Sequence, residues 1–298
     1  MMKILLTGAT GYIGKRVLNQ LVADGHHVVC SVRDKGRFSP PKSLLPNIDV
    51  IEVDLLKEET LANIPADIDA AYYLVHSMAA SSDYAALELT SAQNFRTALD
   101  KTQARQVIYL SGIVNDSKLS KHLSSRKNVE EELAKGKYHL TTLRAGIIIG
   151  SGSASFEIIR DLVEKLPAMV TPKWLNTKCQ PIAISDVITY LTKVLGDDRT
   201  YDQSFDIGGP DVLTYKEMLL GFAKIRKLNR HIWVLPVMTP RLSSYWLYFV
   251  TATSYKLAVA LVNSMKVEVV CGDNRIRDLI PTDNITYSEA IERAFSKI

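Results

Sequence analysis

Cysteine is scarce in this chain of 298 residues: Cys30, Cys179 and Cys271 are the only three, far apart and without CxxC or Cys/His spacing. That argues against a disulfide framework and against a zinc site, and it favours a reducing compartment, here the cytoplasm. Net charge is also small, +4 from 36 Lys and Arg against 32 Asp and Glu, so nucleic acid, which needs a clustered basic face, is not an expected partner. Long uncharged apolar runs are lacking too. The one membrane-like stretch, Leu242 to Val262, contains Ser243, Ser244 and Lys256, with Arg241 at its edge. A spanning helix needs about 20 mostly apolar residues with few charges. The stretch is therefore expected to be a buried helix, or one lining a substrate or subunit groove, with no membrane span and with peripheral association left open. The N-terminal apolar run is too short for a signal peptide. Internal repeats and low-complexity tracts are absent. Apolar side chains are plentiful, 47% of the chain, enough for one large or two modest globular cores.

The most informative stretch is Lys3-Ile4-Leu5-Leu6-Thr7-Gly8-Ala9-Thr10-Gly11-Tyr12-Ile13-Gly14. Lys3 to Leu6 reads as a short buried strand. Val17, Leu18, Leu21 and Val22 then recur at helical spacing. A strand, a glycine-rich turn and a helix opening at once is the context in which such glycines hold a dinucleotide. Gly8 permits the tight turn, Gly11 lets backbone approach a pyrophosphate, and Gly14 is expected to let the helix pack on the sheet. The spacing is GxxGxxG rather than GxGxxG. Thr7, Gly8, Thr10, Gly11, Tyr12, Ile13 and Gly14 are the cofactor-binding candidates here, with the phosphates facing the helix N-terminus.

His27 to Val32 reads as the second strand, and Arg33 follows it. An acidic residue at this point suits the ribose 2′-OH of NAD, whereas a basic one suits the 2′-phosphate of NADP. Arg33, with Lys35 and Arg37 nearby, points to NADP; Asp34 keeps NAD open. Asp49 to Val53 is a third strand, closed by Asp54 and Leu55 near the expected adenine. Ala70 to Val75 is a fourth, ending at His76, so Val75 and His76 could flank the cofactor. A helix is expected from Tyr84 to about Asp100. The fifth strand, Gln106 to Leu110, is followed by Ser111-Gly112, then by a helix over about 121–135 and a sixth strand, Leu140 to Arg144. Strands alternating with helices predict an α/β fold, a Rossmann-type doubly wound parallel sheet with right-handed crossovers.

After Gly150 the pattern is less regular. Helices are expected through Phe156–Leu162, through Asp186–Leu195 and, capped by Thr214, through Met218–Phe222. Short strands are expected at Gln180–Ile184 and from Ser204. The domain reading is a nucleotide-binding Rossmann domain over 1–150. A mixed, mostly helical region over 151–298 would partly complete the sheet and partly form a substrate pocket.

Taken together, Thr7 to Gly14, Arg33, Asp54-Leu55, Leu110-Ser111-Gly112, Arg144-Ala145-Gly146, Gln180 to Val187 and Asp206 to Pro210 resemble the atypical, extended-type short-chain dehydrogenase/reductases. Gly150 to Glu157, Thr239 to Trp246 and Arg277 to Pro281 resemble, more narrowly, NAD(P)H-binding proteins that join an NmrA-like module to a C-terminal segment of unassigned function. A weaker resemblance, to accessory subunits of respiratory complex I, is expected to stop at the nucleotide module. The family's active members use a Ser, and a Tyr four residues before a Lys on one helix. Ser111 matches the serine. The helix reads His122-Leu123-Ser124-Ser125-Arg126-Lys127, with no YxxxK in either register. In one register His122 holds the Tyr position and Arg126 the Lys position. His122 can serve as general acid or base near neutral pH, whereas Arg126 supplies charge only.

The resemblance implies an NADP-dependent oxidoreductase on an unidentified small molecule, with Ser111, His122 and Arg126 as catalytic candidates. The missing YxxxK keeps a second reading open, a non-catalytic NADP(H) sensor or assembly factor. A sugar-nucleotide epimerase follows from fold analogy alone. Homo-oligomerisation is left open.

Overall fold

The strand expected at residue 3 is the centre of the molecule. In a computed structural model, which describes residues 1–75, 84–113, 121–235 and 265–296, β1 (Lys3–Thr7) is an interior strand, third from one edge of a seven-stranded sheet. Its companions are β2 (His27–Val32), β3 (Ile48–Glu52), β4 (Ala70–Tyr73), β5 (Gln106–Gly112), β6 (His139–Ala145) and the edge strand Gln203–Ile207. The order is edge strand, β6, β5, β4, β1, β2, β3, and every pair is parallel. The chain builds outward from β1 to β3, then returns to place β4 on the other side of β1. That reversal opens a crevice at the C-terminal ends of β1 and β4, where ligands bind in this architecture.

Alternation along β1 explains the two layers. Ile4 and Leu6 are fully buried in one apolar cluster with Val17, Leu18 and Leu21 of helix α1 (Tyr12–Ala23) and Val187 and Leu191 of a helix over Ile184–Lys193. Leu5, on the opposite face, packs with Phe95 and Leu99 of α2 (Tyr84–Leu99) and Val129 and Leu133 of α3 (Lys121–Leu133). A strand covered on both faces reads as a continuous apolar run, as Ile4-Leu5-Leu6 does.

Beyond shifts of a residue or so at other strand ends, three differences from the sequence reading matter. β4 stops at Tyr73 rather than Val75, because the Thr7 hydroxyl takes the Leu74 amide at 3.2 Å where a ladder bond would continue. β5 extends through Ser111 and Gly112, which pair in register with Arg144 and Ala145 of β6. The strand expected over 180–184 is two short pieces, Lys178–Cys179 and Ile182–Ala183. Pro181 has no amide for a ladder, and the Gln180 amide goes instead to the Val269 carbonyl.

A second apolar cluster unites a helix over Ala154–Lys165, one over Tyr215–Ile225 and the C-terminal helix Tyr287–Ser296 through Phe156, Phe222 and Ile291. Ser153 caps the first, and Thr214 with Glu217 forms a capping box on the second. The stretch 242–262 lies outside the described residues. Among the described residues no helix is long and apolar enough to cross a membrane.

The segment 271–287 is clasped onto the sheet edge by residues whose sequence motifs did not reveal that task. Gln180 donates to the Gly209 carbonyl and accepts from the Cys271 amide; Arg277 and Asn284 donate to the Gly208 carbonyl. Asp186 and Asp211 accept from the amides of Ile285 and Tyr287. Arg144 is held alongside by Glu130, at 2.6 and 3.2 Å, and Glu130 also accepts from Ser204 at 2.7 Å. Glu130→Leu would leave the half-buried Arg144 guanidinium without its bidentate partner. Thermal unfolding of that variant is expected to show a loss of about 2 kcal/mol, with Glu130→Gln losing less.

Candidate nucleotide-binding site

Backbone geometry at the end of β1 leaves no room for side chains. Gly8 has φ +71°, and a Cβ there would fall 2.5 Å from the Leu74 carbonyl oxygen at the end of β4. Gly11 closes the turn through its amide to the Gly8 carbonyl at 2.9 Å and is the N-cap of α1. At Gly14 a Cβ would fall 2.1 Å from the Gly8 carbonyl oxygen. Gly14 thus lets the helix start close on the turn itself, a correction to the expected helix-on-sheet contact. No side chain caps α1 and no acid stands in its first turn. Its leading amides and dipole therefore face the crevice, as anion binding at a helix start requires.

The flanking candidates have distinct places. Thr10 is exposed on the turn. The Thr7 hydroxyl donates to the Tyr72 carbonyl at 2.9 Å and accepts from Leu74, so it shapes the crevice from beneath. Ile13 is half-buried against the core that holds β1. The Tyr12 ring lies under the Arg16 guanidinium, 3.9 Å from its centroid. Its hydroxyl is buried without a hydrogen-bond partner among the described residues where a Cβ on Gly150 would fall 2.5 Å away, and burial pushes the phenol pKa up. The Tyr12 side chain is therefore a wall between α1 and the 150–152 turn.

At the end of β2, Arg33 is exposed and makes no hydrogen bond or ion pair among the described residues. Asp34 is committed elsewhere: its carboxylate accepts from the Gly36 amide at 2.9 Å and lies 3.8 Å from Arg37. The acid that kept NAD open is thus turned into its own turn, and the free group at this strand end is a cation. Asp54 caps the Leu56 amide at 3.1 Å, and Leu55 is buried with its carbonyl held by Asn94. Val75 is half-buried beyond β4. His76 lies outside the described residues.

Ser111 stands at the end of β5, 6% exposed, and its Oγ makes no well-formed hydrogen bond among the described residues. Arg126 of α3 reaches the Leu110 carbonyl at 3.1 Å, which fastens a cation to the residue before Ser111. The His122 backbone belongs to α3, one turn before Arg126; its side chain lies outside the described residues. The sequence reading missed Glu88, a buried acid of α2 bonded to Ser125. Its signal was available: Glu88, Ala92, Phe95 and Leu99 share the buried helical stripe. No cluster of three metal-ligating side chains occurs among the described residues. Burial raises the thiols of Cys30, Cys179 and Cys271 to about 12, so none is a ready nucleophile.

Comparison with known proteins agrees with this geometry. Residues 8–149 match the family model described as NAD(P)H-binding. The chain is 24% identical over 233 residues, 76% of its length and 60% of the other's, to the NADH-ubiquinone oxidoreductase 40 kDa subunit of Neurospora crassa. That likeness runs past the nucleotide module, contrary to the expectation that it would stop there. It is 23% identical over 225 residues to the divinyl chlorophyllide a 8-vinyl-reductase of Arabidopsis thaliana, covering 70% of this chain and 53% of that one. The chain thus spans between half and three-fifths of the length of these curated relatives. Among solved structures, the NADPH-dependent quinone oxidoreductase of Escherichia coli complexed with NADPH superposes with a TM-score of 0.77 at 16% identity, covering 98% of this chain and 99% of that one. Residues 8–149 of the chain are therefore an NAD(P)H-binding module of Rossmann type.

Proposed function

We propose that the chain is an NADP(H)-dependent oxidoreductase of NmrA-like kind, acting in the cytoplasm on an unidentified small molecule. The observation that carries this reading is a pair of unsatisfied groups on either side of the glycine turn. Arg33 offers a cation with no ion pair among the described residues where a 2′-phosphate would lie, and Ser111 offers a buried hydroxyl at the end of β5 with no well-formed hydrogen bond among them. A buried hydroxyl without a partner is costly and calls for a ligand. When bound, the nicotinamide supplies or accepts the hydride. Ser111 holds the carbonyl oxygen of the substrate, and His122 supplies or takes the proton. Arg126 contributes charge and no proton, since a guanidinium stays protonated. The region after Gly150 forms the substrate pocket. The quinone and vinyl reductases among the similar proteins support quinones and enones as the acceptors to try first.

The test is NADPH oxidation, followed by absorbance, with a panel of quinones, enones and sugar nucleotides. Ser111→Ala is expected to lower kcat about 100-fold while the Kd for NADPH stays the same. Equal turnover by wild type and variant would remove Ser111 from the chemistry. A second reading, an NADP(H) sensor without turnover, is favoured by the Arg126 guanidinium being fastened to the Leu110 carbonyl in place of the family's lysine. Tight NADPH binding with no turnover across the panel would select it.

A further inference from the structure

The buried stripe of α2 contains a carboxylate. Glu88 is 5% exposed, and the Ser125 hydroxyl of α3, also buried, lies 2.5 Å from its Oε2. That is the length of an O–H···O⁻ bond. The next residue, Arg126, extends to the Leu110 carbonyl, and its own carbonyl accepts from the Tyr109 hydroxyl at 3.4 Å. Glu88, Ser91, Tyr73, Tyr109 and Arg126 line one narrow crevice between the two helices and the ends of β4 and β5. Tyr109 and Leu110 directly precede Ser111. The sequence of contacts therefore runs from a buried carboxylate to the peptide beside the unpartnered hydroxyl.

Packing alone does not account for an acid here. Taking a carboxylate out of water is costly, and an apolar residue of similar volume holds two helices together at least as well. What an apolar residue cannot do is fix the rotation of α3 through a directional bond while placing negative charge in the crevice that Arg126 lines. We infer that Glu88 is a positioning residue of the hydride-transfer site, an inference that rests on the oxidoreductase reading. Through Ser125 it sets the rotation of α3, and its charge keeps the Arg126 guanidinium turned to the end of β5, beside Ser111.

Glu88→Gln keeps an acceptor for Ser125 and removes the charge; Ser125→Ala removes the bond and keeps the charge. The Arg126 Nε–H resonance, assigned in ¹⁵N spectra by its loss in Arg126→Lys, reports the guanidinium without any acceptor substrate. That resonance is expected to shift in both variants. In the NADPH oxidation assay kcat is expected to fall about tenfold or more with the acceptor KM little changed, the mark of an interaction made in the transition state. An Arg126 resonance that stays in place in both variants overturns the inference whatever the turnover. So does a shifted resonance with wild-type kcat, since the contact then has no bearing on the reaction. Absence of turnover in the wild type itself overturns the oxidoreductase reading instead, and the spectra separate that outcome from the other two.

Discussion

Alanine in place of Gly14 is expected to abolish NADPH binding and to destabilise the protein by about 3 kcal/mol or more. The added methyl would stand 2.1 Å from the Gly8 carbonyl oxygen and 2.8 Å from its carbon, both backbone atoms with no rotamer to escape into. Relief requires the start of α1 to move away from the turn. Gly8 has little freedom to yield in compensation, because the space beside it is taken by the Leu74 carbonyl and its φ of +71° is one that favours glycine. Movement of α1 withdraws its first amides from the crevice and disturbs Val17, Leu18 and Leu21, which are buried against β1 and β2. Thermal unfolding and NADPH titration of Gly14→Ala check both effects. The same substitution at Gly25, whose φ is also positive at +83° but which has no atom within 4 Å of an added Cβ, should cost far less and leave binding intact.

The second large effect concerns which dinucleotide is held. Arg33→Ala is expected to raise the Kd for NADPH by about 10- to 100-fold, the value of a charge-assisted contact to phosphate, and to leave the Kd for NADH within about a factor of two. The selectivity comes from the local arrangement. Arg33 is exposed and has no partner among the described residues, while Asp34, the residue that would favour a ribose hydroxyl, is committed to the Gly36 amide. Calorimetric titration of both nucleotides into both proteins checks it. Equal weakening for NADPH and NADH would place Arg33 outside the 2′-phosphate contact.

How far the sequence carries is clearest at β1. Ile4-Leu5-Leu6 followed by the glycine turn is a local signal, and its consequence is a central strand covered on both faces with a turn at the switch point. Arg33 was legible for the same reason, since its place depends only on where β2 ends. The contacts that were not legible are long-range. The partner of Gly14 is a carbonyl of the turn, which no spacing rule supplies. Ser111 was read as following its strand because the extension of β5 depends on pairing with Arg144 and Ala145 of a strand about thirty residues later. Gln180, Asp186, Asp206 and Arg277 stood out as family marks, yet their task, fastening 271–287 to the sheet edge, appears only when residues 65 to 100 positions apart meet. Glu88 was overlooked because a glutamate in a helix ordinarily reads as a solvated face.

The most direct test of the central claim, that the glycine turn and Arg33 together form an NADP(H) site, is native mass spectrometry of the protein incubated with an equimolar mixture of NADPH and NADH. The account predicts one NADPH per chain, with NADH bound to a minor fraction and no nucleotide on Gly14→Ala. Chains that remain free of nucleotide, or that take NADH in preference, would contradict it.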